Sequence, residues 1–480
     1  MTLIEEQPSV VRATAWSTSG AVARMILNLA GMVILARLVA PESFGLFAVS
    51  SSLVLIVAYL SEIGSSWALV QHKAIRAEHV GSALILALGA AAALSSTLAI
   101  TAGGVARFMQ MPELQEAILA MCLIIPVQAA SGVPRALLRR AMNFGRLVRV
   151  DLVAAGTGLV CGLTHALLAP SYWSLVVQAI VYQLVLAGGL WTKSARSAVG
   201  RPSRRGCSDL FAFARGQTLH EAMMLVSKNL DTFLIARTLG AGPLGLYSRA
   251  FALIFSPLGQ VYTAVGSVAF SAMSRHQNER SQIRAVHRRF LIACIAGFSV
   301  PLMVVSSFSG ELVAVVLGEP WSGAAPLLGV LAVAAAFQVI YANMLWVLQA
   351  TAQLQAQIRA GALLTAVNVG GFVVATYTQQ LIHFGIAYIG GAVAALIYVL
   401  RALLRTNGLP FRFYAGAIGL TLISWPVGQL LHAALTSLYD SPLAVIAGLL
   451  GLAVLAIVLA AASLRSHVNI FLAQLRPKEG

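Results

Sequence analysis

Apolar residues in this chain gather in blocks of about 20, and the polar residues between them form short clusters. A helix of 20 residues spans about 30 Å, the hydrocarbon thickness of a bilayer, so each block is read as a membrane-crossing helix. Fourteen spans are expected, at roughly 14–36, 43–67, 80–104, 115–134, 150–169, 173–192, 214–236, 244–272, 290–309, 324–348, 360–378, 380–400, 413–435 and 441–464. The residues left over are shared among short loops and tails, and no soluble domain fits between the spans.

Composition agrees, because a chain of 480 residues that is 59% hydrophobic and 10% charged lies outside the soluble range. Its 32 Lys and Arg outweigh 16 Asp and Glu, a net charge of +16 that in a soluble protein points to nucleic acid. Topology explains it better. An even number of spans puts both termini on one face, and that face carries 25 of the basic residues; the other carries Arg37, Arg107 and Arg237, and Arg24, Arg215, Lys228 and Arg249 fall within spans. Such an imbalance over short loops places both termini in the cytoplasm. The basic residues are dispersed over many loops without aromatic interleaving, so no nucleic-acid partner is expected.

The start, MTLIEEQPSV, has acids where a cleaved signal peptide needs basic residues, so the first helix is expected to act as its own uncleaved signal. Cys122, Cys161, Cys207 and Cys294 have no metal-like spacing and are expected to be free thiols.

An internal repeat divides the chain. Ala36-Arg37-Leu38 followed by Phe44-Gly45-Leu46-Phe47 recurs as Ala236-Arg237-Thr238 followed by Leu244-Gly245-Leu246-Tyr247, 200 residues later and at the same topological place. Six helices separate the copies, so the repeat is parallel, an arrangement found in transporters whose substrate path lies between two halves. The expected organisation is a cytoplasmic tail (1–13), an N-lobe of helices one to six (14–192), a basic linker (193–213), a C-lobe of helices seven to twelve (214–400), two extra helices (413–464) and a cytoplasmic tail (465–480).

The segments LARLVAPESFGLF (35–47), SEIGSSWALVQ (61–71), RALLRRAMNF (135–144), KNLDTFLIARTLGAGPLGLYSRA (228–250) and VVLGEPWSGAAPLL (315–328) resemble, in order and spacing, the polysaccharide-transporter flippases of the multidrug/oligosaccharidyl-lipid/polysaccharide exporter superfamily. The chain departs from that pattern at Glu62, where Asp is common, and at Ser271, where Pro is usual. The resemblance implies an all-α polytopic fold of the kind also used by multidrug exporters. It also implies a transporter that moves undecaprenyl-pyrophosphate-linked oligosaccharide between leaflets by alternating access, for O-antigen, capsule or exopolysaccharide assembly. Membrane lipids, a polysaccharide polymerase and assembly proteins would be its partners.

Ionisable side chains inside a span are costly and usually face protein or water, which makes them functional candidates. In helix seven, Gln217, Glu221, Met224, Lys228 and Asp231 follow spacings of 4, 3, 4 and 3 and so share one face. Lys228 and Asp231 can equally form a plain ion pair at i and i+3. In helix one, Ser17, Gly20, Arg24, Asn28 and Gly31 share a face that includes the only charge of that helix. A guanidinium binds phosphate through two parallel hydrogen bonds and an ammonium binds it as a point charge, so Arg24 and Lys228 suit a pyrophosphate. Arg249, near the start of helix eight, is a third candidate or an interfacial anchor. Asn28, Gln217, Glu221 and Asp231 are the candidates for a polar cavity or for coupling to H+ or Na+. Arg24 can instead pair with Glu221 or Asp231, and Arg215 and Asp151 read as anchors at helix ends.

Catalytic readings fall away. His220-Glu221 opens like a zinc-protease helix, but Met224 stands where the second His is needed, and no GxxxxGK[ST] loop is present to cradle ATP phosphates. No cofactor is expected. Gly158 and Gly162 form a GxxxG packing face, and Pro257, Pro301 and Pro426 are candidate kinks. The rival functions are an ion-coupled exporter of cationic drugs, which needs acids in the cavity, and a membrane glycan polymerase, which needs a larger outer loop than the 14 or so residues at 310–323.

Overall fold

In the computed structural model, which describes residues 10–62, 69, 75–204, 206–208, 224–276, 279–406 and 410–438, every regular element among the described residues is helical. Twelve helices are long and apolar enough to cross a membrane. They coincide with twelve of the fourteen expected spans. The span expected at 214–236 is described only from residue 224, and the one at 441–464 lies outside the described residues.

The chain divides into two compact units, Met1–Ser248 and Arg249–Gly480. In the first unit, α1 (Val10–Leu38) is followed by α2 (Pro41–Glu62), α3 (Ala77–Met109), α4 (Leu114–Met121), α5 (Ile124–Arg140), α6 (Phe144–Leu168), α7 (Trp173–Leu190), the short α8 (Lys193–Ser197) and α9 (Leu230–Leu239). The start of α10 (Ala241–Ser274) completes it. Local chemistry sets the boundaries. Pro41 opens α2, where a missing N–H costs nothing because the first turn has no acceptor for it. Asn143 caps α6 by accepting the Arg146 backbone N–H at 3.2 Å, and Thr192 caps α8 by accepting that of Ala195 at 2.9 Å. Gly240, at φ +89°, ends α9 and lets α10 start at the next residue, a reversal that a side chain would resist.

In the second unit the rest of α10 leads to α11 (Arg280–Cys294), a π-helical turn (Ile295–Ser299), α12 (Val300–Ser307) and α13 (Ser309–Val316). A 3₁₀ turn (Glu319–Ala324), α14 (Ala325–Ala350), α15 (Leu354–Thr378), α16 (Leu381–Thr406) and α17 (Phe411–Leu438) follow. The π turn lies just before Pro301, which has no N–H and whose ring crowds the carbonyl four residues back, so the wider turn accommodates the kink candidate. α14 is the buried axis of this unit: Leu328, Leu331, Ala332, Ala335, Ile340 and Leu348 are fully buried. By contrast Ile100, Leu168 and Leu430 are 84%, 82% and 72% exposed, an unfavourable placement in water and the expected one against lipid tails. The chain is a multi-pass membrane protein.

Candidate functional site

Arg24 is the centre of a four-residue polar cluster within the first unit. Its Nη1 lies 2.6 Å from Asp151 Oδ2 and also reaches the Asp151 carbonyl at 3.4 Å, while its Nε donates to Asn28 Oδ1 at 3.2 Å. The guanidinium carbon sits 4.5 Å from the centre of the Tyr182 ring, and the Tyr182 hydroxyl donates to the other Asp151 oxygen at 2.8 Å. Three helices supply the group: α1 gives Arg24 and Asn28, one turn apart; α6 gives Asp151; α7 gives Tyr182. The ring face stabilises the cation, and its hydroxyl fixes the anion that pairs with that cation.

The helix packing explains why the side chains meet. A Cβ on Gly20 would stand 2.5 Å from the Val148 methyls, and one on Gly31 would stand 2.8 Å from Leu159, so two glycines on one face of α1 let α6 approach closely. Gly158 and Gly162 do the same between α6 and α7, where added methyls would meet the Gln178 and Ser174 backbone at 2.8 and 2.9 Å. The GxxxG pair is thus a packing face within the unit.

These contacts correct two expectations. Among the described residues the ion-pair partner of Arg24 is Asp151 and not Asp231; Glu221 lies outside them. Asp151 is not a helix-end anchor: α6 begins at Phe144, so the carboxylate lies about 10 Å along the helix. On the α1 face that carries Arg24, Gly20 and Gly31 pack on α6, while Asn28 is exposed and the Arg24 side chain is 25% exposed.

Residues 224–228 are helical, Asn229 is a turn, and α9 starts at Leu230, so the continuous helix assumed for the i, i+3 argument is interrupted between Lys228 and Asp231. The Asn229 side chain stabilises the break: its Nδ2 donates to the Leu225 carbonyl at 2.8 Å and its Oδ1 accepts the Ser52 hydroxyl at 2.9 Å. Asp231 is buried and binds the Tyr247 hydroxyl, with the Thr232 backbone N–H at 2.7 Å. Lys228 is exposed, and Arg249 is half-buried at the first position of the second unit. Gln217 and Glu221 lie outside the described residues.

Tyr182 and Asn229 are polar residues that the sequence did not single out, and Asp151 was read only as an anchor. The signal for Asp151 was Asn143, a helix-capping residue whose recognition would have started the helix six residues earlier and placed Asp151 two turns inside it. Tyr182 carries no such signal.

Among the described residues no group of three or more His, Cys, Asp or Glu is arranged to hold a metal ion, and the four cysteines are free. In the cluster around Arg24 the anion that the guanidinium holds is the carboxylate of Asp151.

The chain is 28% identical over 343 residues to the succinoglycan biosynthesis transport protein ExoT of Rhizobium meliloti, a match covering 69% of this chain and 67% of that one. It spans about two thirds of the length of the curated relatives it matches first. Its fold is that of the lipid II flippase MurJ in an inward closed conformation, with a TM-score of 0.68 at 12% identity, covering 95% of this chain and all of the other. An inward-facing multidrug-resistance MATE transporter of the MOP superfamily shares it at a TM-score of 0.56 and 16% identity, covering 80% of this chain and 96% of the other. Residues 34–326, more than half of the chain, match the family described as polysaccharide biosynthesis protein, and the chain belongs to that family.

Proposed function

We propose that the chain moves undecaprenyl-pyrophosphate-linked oligosaccharide from the cytoplasmic to the periplasmic leaflet of the inner membrane, for surface polysaccharide assembly. The observation that carries this reading is Arg24, a partly exposed guanidinium set inside the bilayer span with a displaceable carboxylate on it. A lipid carrier brings its pyrophosphate to that depth, and a guanidinium matches it geometrically. Lys228, exposed beside the helix break, and Arg249 are the further cations assigned to the same headgroup, and Asn28, Gln217, Glu221 and Asp231 to the polar path. Family membership and the transport protein of R. meliloti support this reading over drug export, since the fold is common to flippases and drug exporters and does not distinguish them.

Both termini are assigned to the cytoplasm from the 25-to-3 distribution of basic residues. Single cysteines test this with an impermeant thiol reagent on cells with an intact inner membrane: one at Ser203 is protected and one at Ser322 is labelled. Deleting the gene tests the function. The expected phenotype is lipid-linked oligosaccharide trapped on the cytoplasmic leaflet and loss of surface polysaccharide, with drug sensitivity unchanged. Normal surface polysaccharide with raised sensitivity to lipophilic cations identifies an exporter instead.

A further inference from the structure

We propose that Asp151 is a selectivity filter, a built-in carboxylate that occupies the anion-binding edge of Arg24 and reserves it for headgroups with more than one negative charge. The proposal rests on the pyrophosphate reading of Arg24 and adds what keeps other anions away. The membrane that surrounds the site is itself rich in anionic phospholipids. A bare guanidinium inside the span, open to lipid, would bind any phosphodiester.

The structure supplies the competitor. Asp151 Oδ2 lies on Arg24 Nη1 at 2.6 Å, and the Tyr182 hydroxyl fixes the other oxygen, Oδ1, at 2.8 Å. No other cation on α6 takes part: Arg146 donates to the Gly189 carbonyl at 3.2 Å and Arg149 to the Gly145 carbonyl at 3.2 Å. From α1 the carboxylate meets Arg24, and from α7 it meets Tyr182. A phospholipid with one negative charge that displaces Asp151 replaces one monoanion by another and gives up a ligand already held in place by Tyr182, so it gains little. A diphosphate diester brings two charges and more acceptor oxygens, enough to displace the carboxylate and keep acceptors for a second cation. The Asp151 side chain is 35% exposed, so on release it is not forced into apolar packing between the helices.

The test uses the full-length protein in nanodiscs of zwitterionic lipid, titrated with farnesyl-diphospho-N-acetylglucosamine and with short-chain phosphatidylglycerol. The wild type is expected to prefer the diphosphate. Asp151→Asn keeps the shape and an acceptor for Tyr182 but removes the charge, and is expected to bind phosphatidylglycerol about tenfold more tightly, the scale of one charge-assisted hydrogen bond, so that the preference collapses. Tyr182→Phe leaves every formal charge in place but frees the carboxylate, and is expected to shift the preference the same way by less. A folded Asp151→Asn with the wild-type preference overturns the filter; should that variant not fold, an unchanged preference in Tyr182→Phe overturns it. Arg24→Ala separates the two ideas: if it binds the diphosphate as the wild type does, the pyrophosphate reading fails and the filter with it. If Arg24→Ala weakens the diphosphate while Asp151→Asn leaves the preference intact, the filter alone falls.

Discussion

Gly45 and Gly245, the fifth residues of α2 and α10, each rest on the backbone at the start of the other's helix. A Cβ on Gly45 would collide with the carbonyl of Ala241, and one on Gly245 would collide with the carbonyl of Pro41. The two contacts are reciprocal, because Pro41 and Ala241 are related by the same 200-residue offset as the glycines. The repeat read from the sequence is therefore a physical contact in which its two copies interlock, with the mutual geometry expected about a two-fold axis. Only glycine permits such an approach, since backbone carbonyls cannot swing aside as a side chain would.

Gly45→Ala and Gly245→Ala are accordingly expected to destabilise the protein by about 1–3 kcal/mol each, the usual cost of overpacking a tight contact. Gly259 provides the control: it lies in the same helix as Gly245 and an added methyl meets nothing within 4 Å, so Gly259→Ala is expected to be neutral or stabilising by up to about 1 kcal/mol. Thermal unfolding of the purified variants in detergent checks both. A Gly45→Ala protein as stable as Gly259→Ala would contradict the interlock.

The Arg24–Asp151 pair predicts a separation of stability from transport. Arg24→Ala leaves the Asp151 carboxylate within the helix bundle without its cation, at an expected cost of about 1–2 kcal/mol given that both side chains are partly exposed. Adding Asp151→Asn removes that charge and is expected to restore expression and thermal stability while transport of lipid-linked oligosaccharide stays lost. Arg24→Lys keeps the charge but loses the bidentate fork, so transport falls partially with little change in stability. Recovered transport in the Arg24→Ala/Asp151→Asn double variant would reduce Arg24 to a structural role.

Much of the fold was legible because lipid imposes one requirement, about 20 apolar residues per crossing, and the chain meets it openly from Thr18 to Ser437. The site was legible in part. Arg24 stood out because a lone guanidinium within an apolar span has few explanations. Its partner did not, because hydropathy locates where apolar residues begin and the helix began earlier, at Phe144, and its first two turns include the charged Arg146 and Arg149. The small residues on the α1 face did not by themselves say what they meet; Gly20 and Gly31 are small because Val148 and Leu159 fill the space. The break at Asn229 was hidden because Lys228 to Asp231 keep helical spacing across it, and the stabilising partner, Ser52, lies 177 residues away.

That break yields the last prediction. Asn229 uses one amide for two tasks, donating to the Leu225 carbonyl at 2.8 Å and accepting the Ser52 hydroxyl at 2.9 Å, so it satisfies the backbone of the interrupted helix and ties it to α2. Asn229→Ala leaves the Ser52 hydroxyl without its acceptor in a bundle where water is scarce and leaves the Leu225 carbonyl only the backbone N–H of residue 229, at 3.1 Å, and about 1–3 kcal/mol of destabilisation is expected. Ser52→Ala removes a single hydrogen bond and is expected to cost about 0.5–1.5 kcal/mol. Because the two substitutions share one contact, their effects are expected to fall short of additive, with the double variant close to Asn229→Ala alone. Thermal unfolding of the single and double variants measures the coupling. Strict additivity would show that Ser52 and Asn229 act independently, and the break would then be held by the Leu225 hydrogen bond without help from α2.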